Sequence, residues 1–250
     1  MTVDDAGDPS ADEDRIETQL RDGTRVLIRM VSPDDKAALA SGFERLSPRS
    51  RYLRFHTAVE QLSHQQLAYL TEVDQVNHVA WVAQDLDQPD EPGIGVARFI
   101  RLDDEPTVAE AAVTVLDEYQ GRGLGSELLH VLAAAAVRRG ITTFRAYVLG
   151  ENRSMLALLD ALGPTHTERQ LGVYQIDVEL PAVSDDARPS AAHRVFSAVT
   201  GKHLPPMHTT APPVWLSDDD TDGTGRQRLR DWLDQMLTRR SDSGRSEPQS

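Results

Sequence analysis

The chain has 250 residues, 26 of them basic and 40 acidic, for a net charge of −14 at neutral pH. That balance, with no basic stripe, argues against duplex nucleic acid as a partner. The absence of cysteine excludes disulfides, thiolate nucleophiles and thiolate metal sites.

Residues 1–19 are Asp-rich and carry no hydrophobic period, so a disordered acidic tail is expected there. It holds no apolar stretch of the kind a signal peptide needs. No apolar run in the chain approaches the ~18 residues of a membrane helix. The expectation is therefore a cytoplasmic protein with no membrane partner.

From residue 20 to about 182 the signals come densely. RVLIRMV (25–31) reads as a strand, and Ser32-Pro33 opens a helix with an N-cap followed by an N1 proline. Ser47-Pro48 repeats that device. Ser63 with Gln66 forms a capping box for a helix through Leu70. HVAWVAQ (78–84), IGVARFIRL (94–102) and the run from Val108 to Leu116 then read as three strands joined by short turns, an antiparallel meander.

Next comes YQGRGLGS (119–126), with glycine at every second position. Leu124, Leu128, Val131, Leu132 and Ala135 follow it at helical spacing, and Gly140 ends the stripe. TTFRAYVL (142–149) is the next strand, and strand–helix–strand implies a parallel, right-handed crossover. Asn152 can cap a helix running to Leu162, stopped by Gly163-Pro164, and VYQIDVEL (173–180) alternates like a half-wet antiparallel strand. Residues 183–224 read as a disordered linker, 225–240 as an amphipathic helix carrying Trp232, and 241–250 as a polar tail. The eight histidines show no metal-ligand spacing, so no metal is expected.

Glycines let backbone N–H groups crowd together, and at a helix N-terminus several unpaired N–H groups and the positive dipole end point at one spot. A plain flexible turn would use one glycine; three alternating ones favour a phosphate cradle. A Walker loop is excluded because GRGLGSE lacks its lysine. A Rossmann fingerprint fails as well: Ser126 occupies its third glycine position, and residues 142–150 supply no acid. Glu110 stands in the otherwise apolar VAEAAVTV, with Ala112 and Thr114 on its face of the strand. An acid there is either an exposed strand residue or lines a polar cleft.

The loop Gln120-Gly121-Arg122-Gly123-Leu124-Gly125, set between that strand and that helix with Asn152 opening the next one, resembles the acyl-CoA pyrophosphate loop of the GNAT N-acetyltransferases. The likeness covers residues 20–180, and FERLSPRSRYLRFH, AEAAVTVLDEYQGRGLG and ENRSML look most like the bacterial Pat-type protein lysine acetyltransferases. The resemblance implies a mixed α/β fold in one domain, 20–182. Its sheet would be mostly antiparallel, with a parallel pair formed by the family's fourth and fifth strands and helices on its faces.

It also implies acetyl-CoA as co-substrate, its pyrophosphate on the backbone of Gly121 to Ser126. The family's fourth strand bulges and splays from the fifth, which falls here on Val113 and Val115 and frees backbone groups for pantetheine and the thioester carbonyl. Asn152 would reach the CoA arm, a role compatible with capping its helix. Glu110 would be the general base for a primary amine, either a protein lysine or a small amine. A non-catalytic acyl-CoA-binding module is the remaining reading. The family's common general-acid tyrosine is replaced by Leu159, so the leaving thiolate has no such donor; Tyr147 and Tyr174 read as packing residues.

Overall fold

The computed structural model describes residues 15–56, 59–90, 93–170 and 173–181. The expected linker, C-terminal helix and tail lie outside these residues, as do residues 1–14. Strands β1 (Arg15–Gln19) and β2 (Arg25–Met30) lead to helices α1 (Lys36–Arg45), α2 (Pro48–Phe55) and α3 (His64–Thr71). Strands β3 (His78–Asp85), β4 (Gly95–Arg101) and β5 (Val108–Val115) follow, then α4 (Leu124–Val137), β6 (Thr143–Leu149), α5 (Arg153–Leu162), β7 (Thr165–Gln170) and β8 (Val173–Glu179).

The helix starts form as their cap residues dictate. Ser47 Oγ accepts from the Ser50 N–H at 3.1 Å. Ser63 and Gln66 exchange both bonds of a capping box, at 3.2 and 2.8 Å. Before α1, the Ser32 N–H donates to Asp35 at 2.8 Å, and Arg29 clamps the same carboxylate at 2.6 and 2.9 Å. The helix start is thereby tied to β2.

The strands form one eight-stranded sheet in the order β1-β2-β3-β4-β5-β6-β8-β7. Every pairing is antiparallel except β5 with β6. The expected mixed sheet, with its parallel pair either side of the glycine loop and α4, is the one observed. One face packs on α4: Gly95 lies against Leu124 and Leu128, and a Cβ there would sit 3.0 to 3.3 Å from them. Trp81, Ala97, Phe99 and Phe144 are fully buried in this layer. Helices α1 to α3 cover the opposite face of the central strands, which explains why β3 is apolar on both sides, with Ala80 and Val82 as buried as Val79 and Trp81.

Two strands lie outside the expectations from sequence. Arg15–Gln19, placed in the disordered tail, is instead the edge strand β1, in register with β2 from Arg15↔Arg29 to Gln19↔Arg25. Its residues are exposed or half-buried, so no apolar face marks it. β7 is likewise an edge strand of polar sequence, THTERQ, paired with β8. Both are held by backbone ladders, which leave little imprint on side-chain patterning. No helix among the described residues is long and apolar enough to cross a membrane.

Candidate active site

The geometry around β5 comes from its two unequal neighbours. Its register with β4 is unbroken from Arg101↔Ala109 to Gly95↔Val115. With β6 it pairs only at Val108↔Thr143, Ala109↔Phe144 and Glu110↔Arg145. Past Glu110 the two strands separate and leave a gap. The splay implied by the resemblance is present; the bulge is not, because a constant register with β4 leaves no extra residue in β5.

Bond direction shows what faces the gap. The Val108 carbonyl accepts from the Leu102 N–H and the Leu116 N–H donates to the Ile94 carbonyl, each at 3.0 Å. Strand alternation therefore turns the N–H and C=O groups of Glu110, Ala112 and Thr114 toward β4, and those of Ala111, Val113 and Val115 toward β6. Val113 and Val115 thus turn their backbone groups into the gap. The Val115 carbonyl is already capped by Gln120 Nε2 at 3.1 Å. The Gln120 side chain also reaches Ser50 Oγ at 3.3 Å, so this residue braces the loop against α2.

At the end of the gap the glycine loop turns into α4. Gly121 has φ +75° and Gly123 φ +100°, conformations an L side chain resists, and Gly123 is the N-cap of α4. A Cβ at Gly121 would meet nothing within 4 Å, so the loop is open on that side. Gly125 serves packing instead, since a Cβ there would press on Leu158 of α5 at 3.2 Å. The N–H groups of Ser126 and Glu127 bond the Gly123 carbonyl at 3.0 and 3.1 Å. The N–H groups of Gly121 through Gly125 bond no backbone acceptor among the described residues. Five donors at a helix N-terminus suit a pyrophosphate. The Leu124 side chain is fully buried, so this residue can offer only its backbone.

The β1–β2 turn adds charge to this loop. The Arg21 N–H donates to the Arg122 carbonyl at 3.2 Å. The Arg21 side chain runs along Gly123, its Nε 3.5 Å from where a Cβ would stand. Arg122, by contrast, pairs with Asp22 at 3.0 Å and covers the Tyr119 ring at 4.9 Å. The motif's own arginine is thus committed within the protein, and the turn supplies a second one. Nothing in the sequence pattern marks Arg21.

Asn152 caps α5, its Oδ1 accepting from the Met155 N–H at 3.2 Å. Leu159 is fully buried, and no tyrosine stands in its place. Tyr174 packs on the core as expected. Tyr147 does not: it is 40% exposed and lies on the Glu110 side of the sheet. The period of two along β6 buries Phe144, Ala146 and Val148 and turns Tyr147 out.

Glu110 points to the face covered by α2 and α3. In register its neighbours are Ile100 and Arg145, but Arg145 is engaged by Asp177 at 2.8 Å and Glu105 at 2.6 Å. Glu110 acts electrostatically with Arg54 of α2, favouring the arginine's charged form. On the same sheet face lies Arg98 of β4, 5% exposed, whose Nη1 donates to the Leu70 carbonyl at 3.2 Å and approaches His78 Nε2 at 3.2 Å. Burial, with the Arg54 charge added, pushes Arg98 down to about 9, so it stays protonated at neutral pH. A mostly apolar cavity of about 70 Å³, lined among others by Phe43, Arg54, Phe55, Arg98, Ala112 and Thr114, opens here. Arg98 could have been found by the argument that singled out Glu110, a charge inside an apolar strand (VARFI); Arg54 carries no such mark. Among the described residues no cluster of His, Asp or Glu could hold a metal ion.

A sequence model for the acetyltransferase (GNAT) domain matches residues 25–165. Over 168 residues the chain is 37% identical to the acetyltransferase Pat of Mycolicibacterium smegmatis, a match covering 67% of this chain and 50% of that protein. The chain therefore spans about half the length of that relative. The GNAT domain of S. lividans PAT superposes with a TM-score of 0.61 at 31% identity, covering 66% of this chain and 97% of that domain. A cAMP-binding acyltransferase from Mycobacterium smegmatis superposes with a TM-score of 0.51 at 32% identity, covering 74% of this chain and 53% of the other.

Proposed function

The chain belongs to the GNAT acetyltransferase family, and from that footing we propose that it transfers an acetyl group from acetyl-CoA to a primary amine, a protein lysine in preference to a small amine. The observation that carries this reading is the juxtaposition at β5. An open N–H cradle and a strand gap lie on one side of the strand, and Glu110 stands on the other.

Acetyl-CoA supplies an activated thioester. The N–H groups of Gly121 to Gly125 hold its pyrophosphate, assisted by the Arg21 side chain; the Ser126 N–H, expected from sequence to join them, is instead bonded to the Gly123 carbonyl. Asn152 lines the path of the pantetheine arm. The backbone at Val113 and Val115 faces the thioester, where an N–H can stabilise charge on the carbonyl oxygen. Glu110 takes the proton of the incoming ammonium, directly or through one water, so that the neutral amine attacks. No tyrosine replaces Leu159, so the thiolate leaves without a protein acid at that position.

Protein lysine is favoured by the stretches that resemble Pat-type enzymes. The test is incubation with acetyl-CoA and either a panel of lysine peptides or small polyamines, with thiol release and product mass followed together. Acetyl-lysine formed in step with thiol supports the proposal. Transfer to polyamines alone would replace the acceptor, and tight acetyl-CoA binding without transfer would make the chain a binding module.

A further inference from the structure

The cleft beside Glu110 holds more positive charge than a site for an ammonium group needs. Arg54 and Arg98 both line the apolar cavity, and Arg98 feels the charge of Arg54. Neither forms a salt bridge with a carboxylate among the described residues. The acid on the cavity wall, Asp35, is taken by Arg29 at 2.6 Å. Arg98 spends one nitrogen on the Leu70 carbonyl and His78, which leaves its Nε and Nη2 without a protein acceptor among the described residues. The guanidinium of Arg54 lies over the Phe55 ring at 5.0 Å. Tyr69 and His78, packed ring on ring at 5.1 Å, stand beside them.

Burying guanidinium groups in an apolar wall is costly unless an anion meets them. Two arginines against one Glu110 leave a surplus of one positive charge, and a fork of N–H donors matches a carboxylate. Resting on the acetyltransferase reading above, we propose that Arg54 and Arg98 form an anion subsite that selects acceptors bearing a carboxylate close to the reactive amine. In a protein acceptor this is an acidic side chain within a few residues of the target lysine. In a small acceptor it would be the carboxylate of an amino acid. The lysine ammonium then meets Glu110 while its acidic neighbour meets the arginines, and the two ends fix the amine for attack.

The experiment compares kcat/KM for peptides that carry one lysine and an Asp at each position from three before it to three after, against the matching Asn peptides. Lysine and lysinamide form a second pair. At one or more positions the Asp peptide should exceed its Asn partner by roughly 10- to 100-fold, the worth of a charge-assisted hydrogen bond. That advantage should vanish in Arg54→Gln, with acetyl-CoA affinity unchanged. Arg98→Lys, which keeps the buried charge but not the fork, should retain part of it. Propionate should compete with the peptide and not with acetyl-CoA. Lysine favoured over lysinamide, with no peptide preference, would assign the subsite to a small acceptor. Equal rates across every pair, in an enzyme that does acetylate peptides, would overturn the proposal; no acetylation of any acceptor would instead overturn the underlying function.

Discussion

At the scale of single residues, the site is defined by charges that a strand or helix cannot hide. Glu110 and Arg98 occupy positions in β5 and β4 where apolar neighbours alternate, so both were readable as exceptions to a pattern. Arg54 and Arg21 were not, because a charged residue on a short helix or in a hairpin turn breaks no rule. Asp35 shows how such a residue can instead be structural. Burial alone would raise its pKa, but the bonds from Arg29 and the Ser32 N–H outweigh that and hold it below the usual carboxylate range. A depressed folded-state pKa contributes stability above the unfolded value of about 4, and that contribution is lost as the pH falls. Asp35→Asn should therefore cost about 1–3 kcal/mol in urea unfolding at pH 7, where it leaves a half-buried arginine short of its partner. The gap between variant and parent should narrow near pH 3. A constant difference across that range would show that Asp35 acts by packing alone.

At the scale of elements, the proposed function divides the binding of acetyl-CoA between the loop and the hairpin that braces it. Helix α4, the meander and the parallel crossover were legible because their periods are strong and their punctuation is glycine and proline. The edge strands β1 and β7 were not, since β1 sends the single apolar Ile16 toward the core and THTERQ of β7 has no apolar residue to set a period. Missing β1 also hid the turn that brings Arg21 to the loop. Two substitutions test this division. Gly123→Ala forces a side chain into a left-handed conformation at a cost of roughly 1–2 kcal/mol and places a methyl group against the Arg21 side chain, so acetyl-CoA affinity should fall about tenfold or more with the circular dichroism unchanged. Arg21→Gln should weaken binding several-fold and flatten its salt dependence, because one cation is removed from a phosphate site. Arg122→Gln should affect binding less, its charge being shared with Asp22. An equal or larger loss in Arg122→Gln would reverse these two assignments.

At the scale of the whole molecule, the proposed function divides two tasks across the sheet: the gap between β5 and β6 and the loop beyond it would serve the acyl donor, and the face under α2 and α3 the acceptor. The matched GNAT domain corresponds to about two thirds of this chain. A chain ending at Pro181 should accordingly keep its acetyl-CoA affinity, as calorimetry can check; loss of binding would place part of the donor site further along the chain. The separation of tasks has one direct test, kcat and acetyl-CoA Kd measured side by side for Glu110→Gln. The substitution keeps shape and hydrogen bonding but cannot accept a proton. Transfer should slow by roughly 10²–10⁴-fold, the usual worth of general-base catalysis. The donor Kd should stay constant, and the rate should partly recover at high pH as more of the amine is already neutral. An unchanged kcat at neutral pH, with chemistry shown to limit the rate, would contradict the account and reduce Glu110 to an ordinary strand residue.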